Sequence, residues 1–194
     1  LIEAFLVSTG VVALGEIGDK TQLLALLLAA RYHRPGPIIA GILVATLANH
    51  AAAGALGTWI TRVVDPQWLR WVLGGSFIAV ALWMLVPDRV DDDEGTRAGP
   101  GRFGVFGITT VAFFLAEMGD KTQIATIMLA ARYDALVTVT AGTTLGMMIA
   151  NVPAVLLGDK AVKVLPVQWV HRIAAVVFAA IGAAVLAGVG SVGP

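Results

Sequence analysis

The heptapeptide Glu16-Ile17-Gly18-Asp19-Lys20-Thr21-Gln22 returns 101 positions later as Glu117-Met118-Gly119-Asp120-Lys121-Thr122-Gln123, and both copies lie inside long apolar runs. Each copy sets two carboxylates and one ammonium where hydrocarbon is expected. A charge at the centre of a bilayer costs roughly 2.5 to 3.5 kcal/mol, so a chain that repeats the same three charges in the same order has a use for them. On a helix, Glu16 and Asp19 are three apart and share a face, as do Glu117 and Asp120. Four carboxylates can then converge, and they repel one another unless a cation sits among them. An all-oxygen ligand set suits a hard divalent cation: calcium, magnesium or manganese(II). The chain has no cysteine, which excludes thiolate metal cages, disulfides and thiol catalysis together.

The lysines decide the net charge of such a site. With Lys20 and Lys121 turned inward, four carboxylates and two ammonium groups leave a formal charge that one divalent cation neutralises; turned outward, they leave the site far more negative. Carboxylates this close share protons once the metal has left, which suggests a cycle of metal out, protons in and reorientation. The bland alternative is ion pairing within each helix, Glu16 with Lys20 and Glu117 with Lys121, at a spacing of four. That arrangement leaves both aspartates without partners in a medium of low dielectric constant. Further ligands or supporting groups are Thr21, Gln22, Thr122 and Gln123 inside the motifs, Thr9 and Thr110 two turns earlier, and Asn49, His50 and Asn151 at mid-depth elsewhere. Thr and Gln in membrane helices often serve as packing contacts. Met118, Met147 and Met148 read as packing residues and not as soft ligands.

The elements that hold these groups are membrane helices. The chain has 194 residues, 58% of them apolar and 13% charged, against the roughly 25% charged residues of ordinary soluble domains. Its mean hydropathy is +0.85. Six runs approach or exceed the ~20 residues of a spanning helix: about Ile2 to Ala30, Ile38 to Val64, Gln67 to Val86, Phe103 to Ala131, Ala135 to Val164, and Val167 to Gly190. The first run has no cationic leader or cleavage pattern and reads as a mature helix instead of a signal peptide. Trp68, Trp71 and Trp83 stand near the two ends of the third run, the pattern of an interfacial belt. Between the third and fourth runs lies one polar linker, residues 87–102, with Asp91-Asp92-Asp93-Glu94 at its heart.

The 101-residue offset holds without gaps beyond the motifs. It pairs Arg31-Tyr32 with Arg132-Tyr133, Gly41 with Gly142, His50 with Asn151, Gly57 with Gly158 and Trp68 with Trp169. The expected fold is therefore an all-α integral membrane protein of six transmembrane helices, built as two three-helix repeats, residues 1–86 and 103–194. An odd number of spans per repeat makes the second copy enter the bilayer from the opposite side. The two repeats are then inverted, with the ion site near the midplane where they meet. Arg31, Arg34, Arg89, Arg97, Arg102, Lys160, Lys163 and Arg172 fall on one side of the membrane, and Arg62, Arg70 and Arg132 on the other. The positive-inside rule makes the first side cytoplasmic, with the linker, and puts both termini outside.

The doubled E-x-G-D-K-T motif, in a chain of six expected spans with an acidic central loop, resembles the calcium/manganese cation:proton exchanger family. Eukaryotic members of that family act in the Golgi, and several bacterial members export manganese. The resemblance covers essentially the whole chain and implies that Glu16, Asp19, Glu117 and Asp120 form the ion site, with Lys20 and Lys121 at the basic position and Thr21 and Thr122 at the hydroxyl position. The compact length is similar to that of the bacterial members, which implies a bacterial inner membrane.

The function read from these features is a secondary antiporter, not an enzyme, that exports manganese or calcium in exchange for protons or sodium. It needs no cofactor, its partners are the ion and the lipid bilayer, and its zero net charge gives no field for nucleic acid. Two other classes remain. An intramembrane aspartyl protease would use two aspartates to activate water, but its G-x-G-D pattern wants glycine where this chain has Glu16 and Glu117. An exporter of small amino acids on a six-helix plan has no use for four buried acids.

Overall fold

The structure, a computed structural model, describes residues 1–86, 104–158 and 167–189. These residues form helices and no strand: α1 (Ile2–Glu16), α2 (Lys20–Tyr32), α3 (Pro35–Val63), α4 (Pro66–Trp83), α5 (Gly104–Glu117), α6 (Lys121–Tyr133), α7 (Leu136–Leu157) and α8 (Val167–Leu186). Three helical stretches, Pro35–Val63, Leu136–Leu157 and Gln168–Leu186, are each long and apolar enough to cross a membrane alone. The polar linker, with Asp91 to Glu94 and the cations Arg89, Arg97 and Arg102, lies outside the described residues, as do Lys160 and Lys163.

The first and fourth expected helices are not continuous. Each is split inside the charged motif, α1 from α2 and α5 from α6, because Gly18 and Gly119 take φ of 82° and 78°. That left-handed backbone ends a helix, and glycine enters it without the steric cost a Cβ brings. The repeat is visible at the far ends as well. α2 stops at His33 with φ 53° and α6 stops at Asp134, its equivalent, with φ 43°.

Packing follows the repeat. α7 lies along α1 and α2 while α3 lies along α5 and α6, and α3 and α7 also face each other. The helices come close because small residues line the contacts, the usual device where lipid is as apolar as a leucine side chain. A methyl group at Gly146 of α7 would meet the Thr9 carbonyl of α1 at 2.5 Å and the Ala13 nitrogen at 2.9 Å. α4 and α8 form a separate antiparallel pair, with Gly74 opposite Gly182 and Phe77 opposite Phe178, whose ring centroids are 6.1 Å apart. Phe77 and Phe178 are themselves repeat equivalents.

The outer surface is apolar. Leu43, Leu47, Leu56, Ile149 and Val176 are all exposed, a pattern suited to lipid and not to water. A set of polar residues is buried inside, among them Glu16, Asp19, Asn49, His50, Glu117, Asp120, Lys121 and Asn151.

The backbone contact at Gly146 gives a direct test of this packing. Gly146→Ala should lose about 1–3 kcal/mol of stability through overpacking, read as a lower thermal midpoint in detergent. Gly10→Ala, on α1 where nothing lies within 4 Å, should show no loss.

Candidate ion site at the two helix breaks

Each break is held by its own motif. Glu16 closes α1, Asp19 stands at the N-cap of α2, and the Asp19 N–H turns back to the Glu16 carbonyl at 3.0 Å; in the second copy the Asp120 N–H reaches the Glu117 carbonyl at 3.2 Å. The amide left over in each turn is taken up by the motif glutamine. Gly18 N–H donates to Gln22 Oε1 and Gly119 N–H to Gln123 Oε1, both at 2.8 Å. The motif threonine, now at the start of the second half-helix, donates back across the break. Thr21 Oγ1 lies 2.5 Å from Glu16 Oε2, and Thr122 Oγ1 lies 3.0 Å from Glu117 Oε2 and 3.3 Å from Asp120 Oδ2.

The break removes the continuous helix that a spacing of four requires between Glu16 and Lys20 and between Glu117 and Lys121. Each lysine begins a half-helix, where the partial positive charge of the N-terminus disfavours a cation. It reaches instead to the other repeat. Lys20 Nζ lies 3.4 Å from Asp120 Oδ1, and Lys121 Nζ lies 3.0 Å from Asp19 Oδ1. The two pairs are equivalents under the 101-residue offset, so the motifs are clasped reciprocally. Both lysines therefore point into the acidic cluster.

Carboxylate oxygens of Glu16, Asp19 and Asp120 lie within 4.8 Å of one another. All three residues are buried, as is Glu117. Glu16 Oε1 and Glu117 Oε1 have no hydrogen-bond partner among the described residues. A buried carboxylate oxygen without a donor calls for a proton or a cation. The arrangement can thus hold a hard cation between two repeats with oxygen ligands, against lysines that compete for two of the same carboxylates.

A family model described as "Divalent cation/proton antiporter GDT1" matches residues 4–92 and 105–191. The chain belongs to this family. It is a membrane transporter of divalent cations and not an enzyme, which removes the protease reading, and the amino-acid exporter with it. A Vibrio cholerae protein named "Putative manganese exporter" is 50% identical over 173 residues, covering 89% of this chain and 84% of the relative. A GDT1-like protein of Synechocystis is 29% identical over 182 residues, covering 81% and 84%. GDT1-like protein 5 of Arabidopsis thaliana is 27% identical over 198 residues, covering 82% and 84%. No solved structure matches the chain.

Around this GDT1-family core the remaining polar residues divide into supports and bystanders. Gln22 and Gln123 use their oxygens on the breaks and their nitrogens on neighbouring helices: Gln22 Nε2 donates to the Ala150 carbonyl at 2.9 Å and Gln123 Nε2 to Asn49 Oδ1 at 2.6 Å. Ala150 is the repeat equivalent of Asn49, so both glutamines tie their break to the same point on the facing long helix. Met118 N–H turns to the Leu115 carbonyl, and Asn49 Nδ2 reaches the Phe114 carbonyl that this turn leaves, at 3.5 Å. Asn151 Nδ2 bonds one turn back, to the Met147 carbonyl at 3.1 Å. His50 is fully buried and is not part of the carboxylate group. Thr9 and Thr110 bond their own helices, at the carbonyls of Phe5 and Phe106.

One contact has no counterpart in the sequence reading. His171 of α8 donates Nε2–H to the Ile17 carbonyl in the first break at 2.8 Å. The offset pairs His171 with Arg70, two basic residues one turn into the third helix of each repeat, and that match was the available signal.

The lysines differ in burial, Lys121 being 1% exposed and Lys20 27%. Lys121→Met should cost about 3–5 kcal/mol, the penalty for removing one partner of a buried ion pair. Lys20→Met should cost clearly less, because water reaches Lys20 and Asp120 keeps its Thr122 donors. Unfolding midpoints of the two variants in detergent check the order, and equal losses would contradict it.

Proposed function

We propose that this protein is a secondary antiporter that exports manganese in exchange for protons, with Glu16, Asp19, Glu117 and Asp120 as the ion ligands. The observation that carries this reading is the convergence of oxygens from Glu16, Asp19 and Asp120, contributed by both motifs, in a buried site. The oxygen-only donor set favours manganese(II), calcium or magnesium over softer metals. The name of the Vibrio cholerae relative favours manganese among these, and the family description favours protons over sodium.

The proposed architecture is six spans in two inverted repeats, residues 1–86 and 103–194 joined by a linker at 87–102. In this reading α1 with α2, and α5 with α6, each make one broken span. Reciprocal contacts support it: Lys20 with Asp120 against Lys121 with Asp19, and Phe77 on Phe178. So does Tyr133, at the end of α6, whose hydroxyl lies 3.2 Å from Glu3 at the start of α1. A hydrogen bond between the first turn of one broken span and the last turn of the other is what opposite directions of travel produce. Both termini then lie outside a bacterial inner membrane, with the linker in the cytoplasm.

The mechanism follows from the charges. An entering divalent cation displaces the lysine ammonium groups from Asp19 and Asp120 and takes the free oxygens of Glu16 and Glu117. When it leaves, protons and the two lysines restore the balance, so the empty site is never a bare tetra-anion. The threonine hydroxyls hold the glutamates in place throughout.

Purified protein in proteoliposomes should take up manganese when an outward proton gradient is imposed. Glu16→Gln and Asp120→Asn should each reduce that flux at least about a hundredfold while the folded protein is retained, the scale on which loss of a buried ligand acts. Near-normal flux in both variants, or no movement of manganese or calcium by the parent protein, would sink the assignment.

A further inference from the structure

The site is built from equivalent halves, but the helices around it are not arranged equivalently. α8 packs against α1, and α4 packs against α6. The equivalent packings, α4 against α5 and α8 against α2, are at most a touch among the described residues. The α4–α8 pair therefore leans on the half of the protein that holds α1 and α6 and leaves the half with α2 and α5 uncovered.

The two breaks record the same lean. The first is covered: Met84, just past α4, lies where a methyl group on Gly15 would meet its Cε at 2.9 Å, and His171 of α8 bonds the Ile17 carbonyl at 2.8 Å. The second is open, with Met118 58% exposed and Gly119 exposed beside it. Lys20, at the start of α2 on the uncovered half, is 27% exposed, whereas Lys121, at the start of α6 under the pair, is 1% exposed. A part-exposed lysine at this depth calls for water.

In transporters built from such repeats, alternating access is largely a rigid-body movement of one bundle against the other around a fixed site, and here the second arrangement would be reached by exchanging the roles of the halves. Exchange by the 101-residue offset turns His171 into Arg70 and Ile17 into Met118. Arg70 has the chemistry to donate in its turn, because its guanidinium rests over Trp71 at 5.4 Å and its Nε has no hydrogen-bond partner among the described residues. We propose that His171 and Arg70 are alternate latches of a moving α4–α8 pair. His171 holds the pair on the Ile17 carbonyl in this state, and Arg70 holds it on the Met118 carbonyl in the other. On the positive-inside orientation, the state seen here opens the site to the cytoplasm. The inference rests on the exchange reading above, but motion can be measured without reference to the cargo.

The absence of native cysteine makes the test clean. In membranes, a short bifunctional thiol reagent should cross-link Ile17→Cys/His171→Cys in the resting protein. It should also cross-link Met118→Cys/Arg70→Cys, faster when manganese and a proton gradient drive turnover. Separately, a membrane-impermeant maleimide should label Met118→Cys from the cytoplasmic face in the resting protein. His171→Ala should slow this labelling about twofold to tenfold, the population shift expected when one hydrogen bond is removed from one of two states. Arg70→Ala should leave it unchanged or speed it up. A Met118–Arg70 pair that never cross-links in membranes where the Ile17–His171 pair does would overturn the proposal. So would alanine variants that shift the labelling in the same direction, as merely structural residues would. Both cross-links in a protein that moves no divalent cation would overturn the proposed function and leave the latches standing.

Discussion

The structure depends on two lysine–aspartate pairs that cross between repeats. Within its own half-helix each lysine is badly placed, at the positive end of the dipole. Across the interface it meets the aspartate that caps the opposite half-helix, and the same exchange happens in return. Because Asp19, Asp120 and Lys121 are buried, neither repeat can be taken away without leaving charge in an apolar interior, at several kcal/mol per ion. The duplication is thus an electrostatic requirement: each motif is the other's counter-charge.

That crossing needs the helices to be broken. In an unbroken helix Lys20 would project beside Glu16 and the charges would close within one repeat, leaving Asp19 to itself. The left-handed glycine separates Glu16 and Asp19 onto the ends of two half-helices, and the rest of the motif repairs what the break exposes. Gln22 and Gln123 take the stray glycine amides, and Thr21 and Thr122 tie the glutamates. Every residue of the repeated motif except Ile17 and Met118 has a role in the break or in the charge cluster. Those two differ in their surroundings: the Ile17 carbonyl meets His171, whereas Met118 is exposed.

In the proposed exchange, matched halves present similar ligands toward either side, while the outer helices set which side is open. The near-reciprocal contacts of α1 to α3 with α5 to α7, and the off-centre lean of α4 with α8, divide these two roles between different parts of the fold. The lysines differ in the same sense, Lys121 being buried and Lys20 part-exposed.

The residue types and the 101-residue offset were enough to read a membrane protein, to single out Glu16, Asp19, Glu117 and Asp120 as candidates, and to exclude thiol chemistry, because composition and repetition are properties of the chain alone; the family entered through the resemblance of the doubled motif and was shown by the family match. The glycines were legible as points of weakness, but not as breaks: a lone glycine in an apolar run is compatible with kink, close contact or termination, and neighbours choose among them. The direction of the lysines was likewise open, since a spacing of four and a contact across the interface are both available to a flexible side chain. Tertiary structure decided it by bringing the opposite aspartate to 3.4 Å from Lys20 and to 3.0 Å from Lys121. It also tied Gln22 and Gln123, expected as ligands or supporting groups, to the break amides and the facing helices and brought His171 to Ile17, contacts that depend on which helices meet and that no spacing along the chain encodes.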